Sequence, residues 1–324
     1  MSIVTIGPHI LDVLARPVSA IPSGHDSLIV DDITVAAAGP AAATAVDLVR
    51  LGMTVATLGA VGDDEAGDLL IGMLRRRGVG TGHITRRRGV ATSMSIVPVS
   101  SGRDRPTLHL PGATPTLAPA DLDAALIGQA AGVHVGGPDV IPGLRDPAFL
   151  AMLERARSRG AVVTLDVLSN VPRLLASVLP LVRYADYVLP NEEQALRMTG
   201  TGDAEAAARR LIAMGASGVV VTLGAEGSLV LTRRHRALLP APPVAVTDTS
   251  GCGDAYCAGF LAGLLHGRGV VEAARWGSVA AGHVAGVLGS DAATLTLAAV
   301  AGQEDGAPAG HPTAPGGHGA GGRP

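Results

Sequence analysis

The feature that most constrains this chain is a recurring three-part unit: an apolar-periodic helix, a glycine at its end, then a short β-branched run. AVDLVRLG precedes MTVATLG, LERARSRG precedes AVVTLD, and ARRLIAMGASG precedes VVVTLG. Glycine relieves the left-handed position just past a helix end. The runs VVTLD and VVVTL are apolar throughout, as strands covered on both faces are. Helices alternating with such strands predict βαβ units and a mostly parallel sheet. Ligands of such sheets sit beyond the carboxyl ends of the strands. By this pattern Asp166 and Thr222 lie there.

Two stretches break the unit. Residues 14–35 (LARPVSAIPSGHDSLIVDDITV) and 91–112 (ATSMSIVPVSSGRDRPTLHLPG) carry strand-like runs and turns with no helix between them. SSGRDRP reads as a hairpin turn joining SMSIVPV to TLHL. Together the two stretches predict a small antiparallel flap beside the main sheet; on pattern alone, ordinary surface hairpins read equally well. Arg103 and Arg105 fall at that turn and His109 just beyond it. Residues 302–324, with His311 and His318, are Gly, Pro and Ala with almost no apolar bulk. They cannot offset their ordering entropy and are expected to be disordered. The expected organisation is therefore one domain over residues 1–301 and a tail.

Composition removes several classes of function. With 47% hydrophobic and 16% charged residues, the chain can bury a sizeable core. A net charge of −3 offers no basic field for nucleic acid. Six aromatic side chains are too few for a base-stacking platform. All 25 basic residues are Arg, which excludes Schiff-base chemistry and a P-loop lysine. Cys252 and Cys257 give neither a secreted disulfide framework nor zinc spacing. No apolar run approaches the ~18 residues of a membrane span, and the amino terminus shows neither a charged leader nor a cleavage pattern. A cytoplasmic protein with no membrane partner is expected.

The densest chemical signal is VTDTSGCGDAYCAGFLAGLL, residues 246–265. A strand-like end leads into Gly251-Cys252-Gly253-Asp254, where a helix of Ala, Gly and Leu begins. The glycines let successive N–H groups converge, and the helix start adds its positive dipole end. That makes an anion site. Asp254, in the first turn, is held beside the anion, which suits a general base taking a proton from an attacking hydroxyl. The plainer alternative is an acidic residue at a helix start with glycines for packing. GxGD by itself leaves the two about even.

The match runs past those four residues. DTSGCGDAYCAG resembles the carboxy-terminal signature D-T-x-G-x-G-D of the ribokinase, or PfkB, family of carbohydrate kinases. GPHILD (7–12), AAAGPAAATAVDLVRLG from Ala36, LGAVGDDEAGDLL from Leu58, PNEEQ from Pro190 and VTLGAEG from Val221 resemble its other segments, in order, over about residues 2–290. The resemblance implies an α/β, ribokinase-like fold: a central, mostly parallel sheet flanked by helices, with a small β lid. It implies ATP-dependent, Mg²⁺-dependent transfer of the γ-phosphoryl group to a hydroxyl of a sugar or sugar-like molecule. A nucleoside kinase of the same family and a catalytically silent sugar-binding relative are the alternatives, and a homodimer is compatible with all three. By the same resemblance, Asp254 is the base, and the N–H groups of Gly251, Cys252 and Gly253 form the anion hole. Asp12, at the end of the first strand, and Gly39 serve the substrate. Asn191, Thr222, Gly224, Gly227 and Ser278 serve the nucleotide. Asp248 supports a monovalent cation such as K⁺, and Gln194 reaches Mg²⁺ through water.

Plainer readings stand beside these. Asp12 caps a turn, Gly224 and Gly227 are hairpin glycines, Asp248 forms an Asx turn, and Cys252 offers its backbone rather than its thiol. Arg75–Arg77 and Arg86–Arg88 read as solvated ends of elements, and His134 as a buried, satisfied imidazole. Two departures from the family pattern stand out. Ala43 replaces an Asn that contacts the sugar. Gln194 replaces a Glu, and the adjacent Glu193 points elsewhere on a helix. The two flap stretches hold no Phe, Tyr or Trp, which disfavours a nucleoside base.

Overall fold

The computed structural model describes residues 2–100, 106–290 and 295–302. Arg103, Arg105 and the tip of the 91–112 hairpin lie outside the described residues, as do residues 303–324 with His311 and His318.

The strands are β1 (Ser2–Ile6), β2 (Ile10–Arg16), β3 (Asp32–Ala38), β4 (Thr54–Gly62), β5 (Gly80–Arg87), β6 (Met94–Pro98), β7 (Leu108–Leu110), β8 (Gly132–Val135), β9 (Val162–Leu165), β10 (Tyr187–Val188), β11 (Gly218–Thr222), β12 (Ser228–Thr232) and β13 (Arg236–Leu239). The helices are α1 (Ala42–Arg50), α2 (Glu65–Arg76), α3 (Ala124–Gln129), α4 (Pro147–Ser158), α5 (Pro172–Ala176), α6 (Glu192–Thr199), α7 (Ala204–Ala213), α8 (Cys252–Leu265), α9 (Val270–Ala285) and α10 (Leu297–Ala301). The large sheet runs β13-β12-β11-β10-β9-β8-β1-β4-β5. It is parallel from β5 through β11; β12 runs against it, and the edge strand β13, antiparallel to β12, runs with it again.

The helix–glycine–strand units form as their residues dictate. Gly52, Gly160 and Gly215 follow α1, α4 and α7 with φ of +80°, +91° and +121°, values that a side chain resists. The strands they lead into are covered on both faces. In β1, Val4 and Ile6 pack with Val133, Val135 and Phe149. Ile3 turns the other way, toward Val55, Leu261 and Trp276. Alternation across the pleat thus feeds two cores rather than one core and solvent. α8 lies inside the second core, buried from Ala255 to Gly263. It is apolar all round, as a helix without a wet face is. Gly259 and Gly263 let α9 come close: a Cβ at Gly259 would meet the Trp276 carbonyl oxygen at 2.5 Å.

The smaller sheet runs β3-β2-β6-β7, with β2 and β6 parallel and the outer pairs antiparallel. Its root strands start earlier and end later than the interrupted sequence pattern suggests. β2 begins at Ile10 and β3 ends at Ala38. Asp12 therefore lies inside a lid strand and not at the end of β1, which stops at Ile6. The strand expected just before the glycine-rich loop is also absent. Residues 240–249 form neither strand nor helix.

The two faces of the lid differ sharply. Leu14 and Ala36 pack with Val97, Val99 and Leu288, so their face turns toward the body of the molecule. Asp12, two residues before Leu14, shares that face. Ser95 pairs with Asp12, and His109 pairs with Ser95, so the row Asp12–Ser95–His109 runs across it. The opposite face carries Ile33, Val35, Ile96, Leu108 and Leu110, all exposed; Ile33 and Leu108 are each 64% exposed.

Candidate active site

The carboxyl edge of the parallel sheet, the start of α8 and the inner face of the lid converge on one region. Gly251 precedes α8 with φ +76°, and a Cβ there would sit 2.4 Å from the Ser290 Cβ. Only glycine fits between that loop and the helix start. Gly253, by contrast, has nothing within 4 Å of where its Cβ would be. The start of α8 is therefore open on the Gly253 side, while the Cys252 N–H donates to the Thr249 carbonyl at 3.3 Å; the free N–H groups of a helix start favour an anion. Asp254 is the third residue of this fourteen-residue helix and is half-buried.

A second carboxylate faces the first. Asp166 follows β9, is 8% exposed, and accepts the Gly137 N–H at its carbonyl oxygen at 3.0 Å. Burial holds its carboxyl well above the usual range, and the charge of Asp254 pushes it the same way. Asp139 is buried behind them. Its Oδ1 accepts the Leu168 N–H at 2.9 Å and its Oδ2 the Ser169 N–H at 2.8 Å, which ties the loop after β8 to the loop after β9. Burial raises its carboxyl too. An acidic pair short of solvent is an environment that a divalent cation relieves. Among the described residues, no three His, Cys, Asp or Glu side chains are grouped to hold a metal by themselves.

A cavity of about 550 Å³ adjoins the cradle. Thr222, Gly224, Gly227, Cys252, Gly253 and Ser278, widely separated in sequence, all line it. Gly224 and Gly227 also do what the plainer reading asked. They flank the tight turn between β11 and β12, both with positive φ. A Cβ at Gly227 would fall 1.9 Å from the Leu239 carbonyl oxygen.

Asn191 bridges to Thr222 through its backbone and caps α6. Its Oδ1 accepts the Gln194 N–H at 2.9 Å, and Gln194 Oε1 accepts the Asn191 N–H at 3.0 Å. Gln194 Nε2 then donates to the Val167 carbonyl at 3.0 Å. The water-mediated Mg²⁺ role expected of Gln194 thus meets a buried amide already committed to a capping box. Glu193, the alternative beside it, is exposed and bonds Asn170 and Arg197.

Gly39, with φ +96°, is required by the chain itself: a Cβ would lie 2.6 Å from the Pro8 carbonyl oxygen. Asp248 is 2% exposed. Its Oδ1 accepts the Ser250 N–H and hydroxyl at 3.0 and 2.9 Å, and its Oδ2 the Gly289 N–H at 3.0 Å. This is the Asx turn of the plainer reading with an added tether to residues 286–290. Ser290 continues that tether by donating from Oγ to the Ala37 carbonyl at the lid root, 3.2 Å away. On the lid, Ser95 Oγ lies 3.1 Å from His109 Nδ1. Burial lowers the His109 pKa. His134 sits in the middle of β8 with Nδ1 3.0 Å from Thr164 Oγ1, and burial lowers its pKa to about 4. It is a neutral core imidazole. Arg75, Arg86 and Arg87 bond to neighbouring elements, and Arg77 donates to the Met73 carbonyl of its own helix.

Sequence reasoning missed Asp139, Ser95 and Ser290, whose roles arise from contacts between distant segments. It also missed the cavity wall Pro242–Val244. Its one signal, a proline pair in APPVAV, reads as a plain loop.

The comparisons with known proteins agree with this geometry. Residues 2–297 match the model of the pfkB family carbohydrate kinases. An uncharacterized sugar kinase of Archaeoglobus fulgidus is 30% identical over 235 residues, covering 72% of this chain and 92% of that protein. The crystal structure of adenosine kinase from Sinorhizobium meliloti superposes with a TM-score of 0.79 at 28% identity, covering 94% of this chain and 99% of that one. An E. coli protein assigned as a ribokinase II, crystallised with ATP and Mg²⁺, superposes with a TM-score of 0.79 at 19% identity, over 93% and 98% of the two chains. No helix among the described residues is long and apolar enough to cross a membrane. The ribokinase-like sheet, its lid and the match along nearly the whole chain place this protein in the pfkB family of carbohydrate kinases, phosphotransferases with an alcohol group as acceptor.

Proposed function

We propose that the chain transfers the γ-phosphoryl group of ATP to a hydroxyl of a sugar or sugar-like molecule, with Asp254 as the general base. The observation that carries this reading is the open face of Gly253 beside Asp254 at the start of α8. Asp254 accepts the hydroxyl proton, while the N–H groups of Gly251, Cys252 and Gly253 receive the charge that develops on the transferring group. Thr222, Gly224, Gly227 and Ser278 line the nucleotide, and Asn191 fixes the turn beside them. When bound, Mg²⁺ neutralises phosphate charge, and Asp166 is the buried carboxylate placed to face it. Asp248 and the loop it tethers, residues 286–290, form the support for K⁺.

The polar row Asp12–Ser95–His109 favours a hydroxyl-rich acceptor, with Gly39 at the lid root. The adenosine kinase likeness keeps a nucleoside as the second reading. The bare outer lid face supports a homodimer. Among the described residues its strands carry no charged side chain on that face, so it complements a second copy of itself, and apolar patches of several hundred Å² mark interaction surfaces. Sedimentation of wild type and Ile96→Asp tests this: a dimer that the substitution splits is expected, and a wild-type monomer refutes it. An ADP-release screen over pentoses, hexoses, polyols and nucleosides, run for wild type and Asp254→Asn, tests the activity. The variant is expected to lose ~10²–10⁴-fold in turnover with its melting temperature kept. Near wild-type turnover would remove Asp254 from the mechanism.

A further inference from the structure

We propose a second small-molecule site, at the seam between the lid and the body, that takes a small zwitterion of the α-amino-acid class. It stands apart from the phosphotransfer reading, and its test needs neither donor nor acceptor.

The inner face of the lid has two polar stations. One is the row Asp12–Ser95–His109. The other begins at Arg16, four residues further along β2 and on the same side of the pleat, roughly 13 Å away at ~3.3 Å per residue. Between them Leu14 packs with Ala36, Val97 and Leu288, so an apolar plug divides the two. Beyond the plug lies a cavity of about 360 Å³, within the range of small-molecule sites. The lid side supplies Arg16, Pro17, Asp31, Val99 and Ser100, and the body supplies Val246 and Thr247. Both walls are tied down. On the lid, the Val99 N–H donates to the Ala15 carbonyl at 2.9 Å and the Asp31 N–H to the Arg16 carbonyl at 2.8 Å. Opposite, the Thr247 N–H donates to the Ala285 carbonyl at 2.8 Å.

The charges of this cavity select its occupant. Arg16 is half-buried, and among the described residues its guanidinium has no ion-pair or hydrogen-bond partner. The carboxylate of Asp31 has none either, so two opposite charges line one space without pairing. A simple anion gains Arg16 but meets Asp31, and a simple cation meets the reverse. A ligand that carries a carboxylate and an ammonium on one carbon satisfies both. The guanidinium fork donates two parallel N–H bonds to the carboxylate, and the ammonium donates to Asp31. Pro17, Val99 and Val246 offer an apolar side for a short aliphatic group, and Ser100 and Thr247 add hydroxyls to the lining. Phosphate fits worse, since its second negative charge finds no second cation among the described lining residues and is repelled by Asp31.

An occupant would bridge the two parts of the molecule. It would grip Arg16 and Asp31 on the lid and touch Val246 and Thr247 on the body. Val246 lines the nucleotide cavity as well, so the two cavities share a wall. Binding to the closed seam therefore slows opening of the lid strands.

The test is calorimetric titration of the full chain, at fixed K⁺, with L-valine and its two halves. 3-Methylbutanoate lacks the ammonium, and 2-methylpropylamine lacks the carboxylate. Saturable millimolar binding of L-valine is expected, with each half and inorganic phosphate at least about tenfold weaker. Arg16→Gln and Asp31→Asn, each melting as wild type does, should each weaken L-valine binding by about tenfold or more. If either variant melts low, the two halves titrated into wild type decide alone. L-valine should also slow backbone amide exchange in β2 and β6 of wild type but not of Arg16→Gln. The proposal is overturned if L-valine does not bind saturably, or if 3-methylbutanoate or phosphate binds as tightly. Binding that survives both substitutions, or leaves lid exchange unchanged, overturns it equally.

Discussion

The large sheet and the lid sheet are made from the same kinds of residue under opposite conditions. In the large sheet both faces are dry, and each strand feeds two cores. In the lid one face is folded toward the body, and the other leaves Ile33, Ile96 and Leu108 in water. The body needs a fixed geometry at its carboxyl edge, where Asp166 and the start of α8 must keep their distance. The lid carries the row Asp12–Ser95–His109 on its packed face, held from one side only. Stability is concentrated in one sheet and adaptability in the other, as binding elements drawn from the weakly packed end require.

The largest expected contrast is between equivalent truncations. Leu58→Ala in β4 removes a fully buried side chain and should cost ~2–5 kcal/mol in denaturant unfolding. Ile96→Ala, at 55% exposed, should cost about 0.5 kcal/mol or less when measured on dilute monomer. Equal losses would show that the lid is as tightly packed as the body. Next is Gln194→Ala, which removes the capping box and strands the Val167 carbonyl. A loss of ~1–3 kcal/mol is expected, and an unchanged midpoint would mean that the amide holds nothing in place.

Asp166→Asn probes the acidic edge of the body by pH. The folded-state pKa of Asp166 is raised, so its favourable contribution is complete below the unfolded value of ~3.9 and is lost as pH climbs toward the folded value. The variant lacks that loss. It should therefore gain stability relative to wild type as pH rises from about 4, with a limiting slope of ~1.4 kcal/mol per pH unit until the folded carboxyl ionises. Parallel stability curves from about pH 4 to 8 would contradict this assignment. Smallest of all, Ser95→Ala on the lid should raise the acceptor KM severalfold with kcat and melting temperature nearly unchanged. No change in KM would place the acceptor away from that row.

Much of the architecture is legible in the sequence because its signals are local. The glycines at 52, 160 and 215 and the apolar runs after them specify the parallel sheet, and the same residues carry it in the fold. The helix start at Cys252 is legible for the same reason, since Gly251 and the residues after it set it locally. Asp12 is harder to place. Its neighbours GPHILD read as one strand, whereas the chain turns at Gly7, whose Cβ would strike the Gly136 carbonyl oxygen at 2.2 Å. That collision belongs to two distant segments, and no periodicity records it. Gln194 misleads in a similar way. A residue in a metal-like spacing is here spent on a cap, because its partners Asn191 and Val167 lie where only the fold brings them. Ser290 and the Pro242–Val244 wall carry no readable pattern for the same physical reason.

Ser290 gives the molecule a shared joint. Its side chain fills the space under Gly251, and its hydroxyl holds Ala37 at the lid root. One small residue therefore wedges the glycine-rich loop on one side and holds the root of the small sheet on the other. A change of size at this position cannot be confined to either. Under the proposed phosphotransfer reading, sequence drift there is tied to both substrates at once, and a flap re-fitted to a new acceptor through position 290 re-tunes the grip on the donor in the same step.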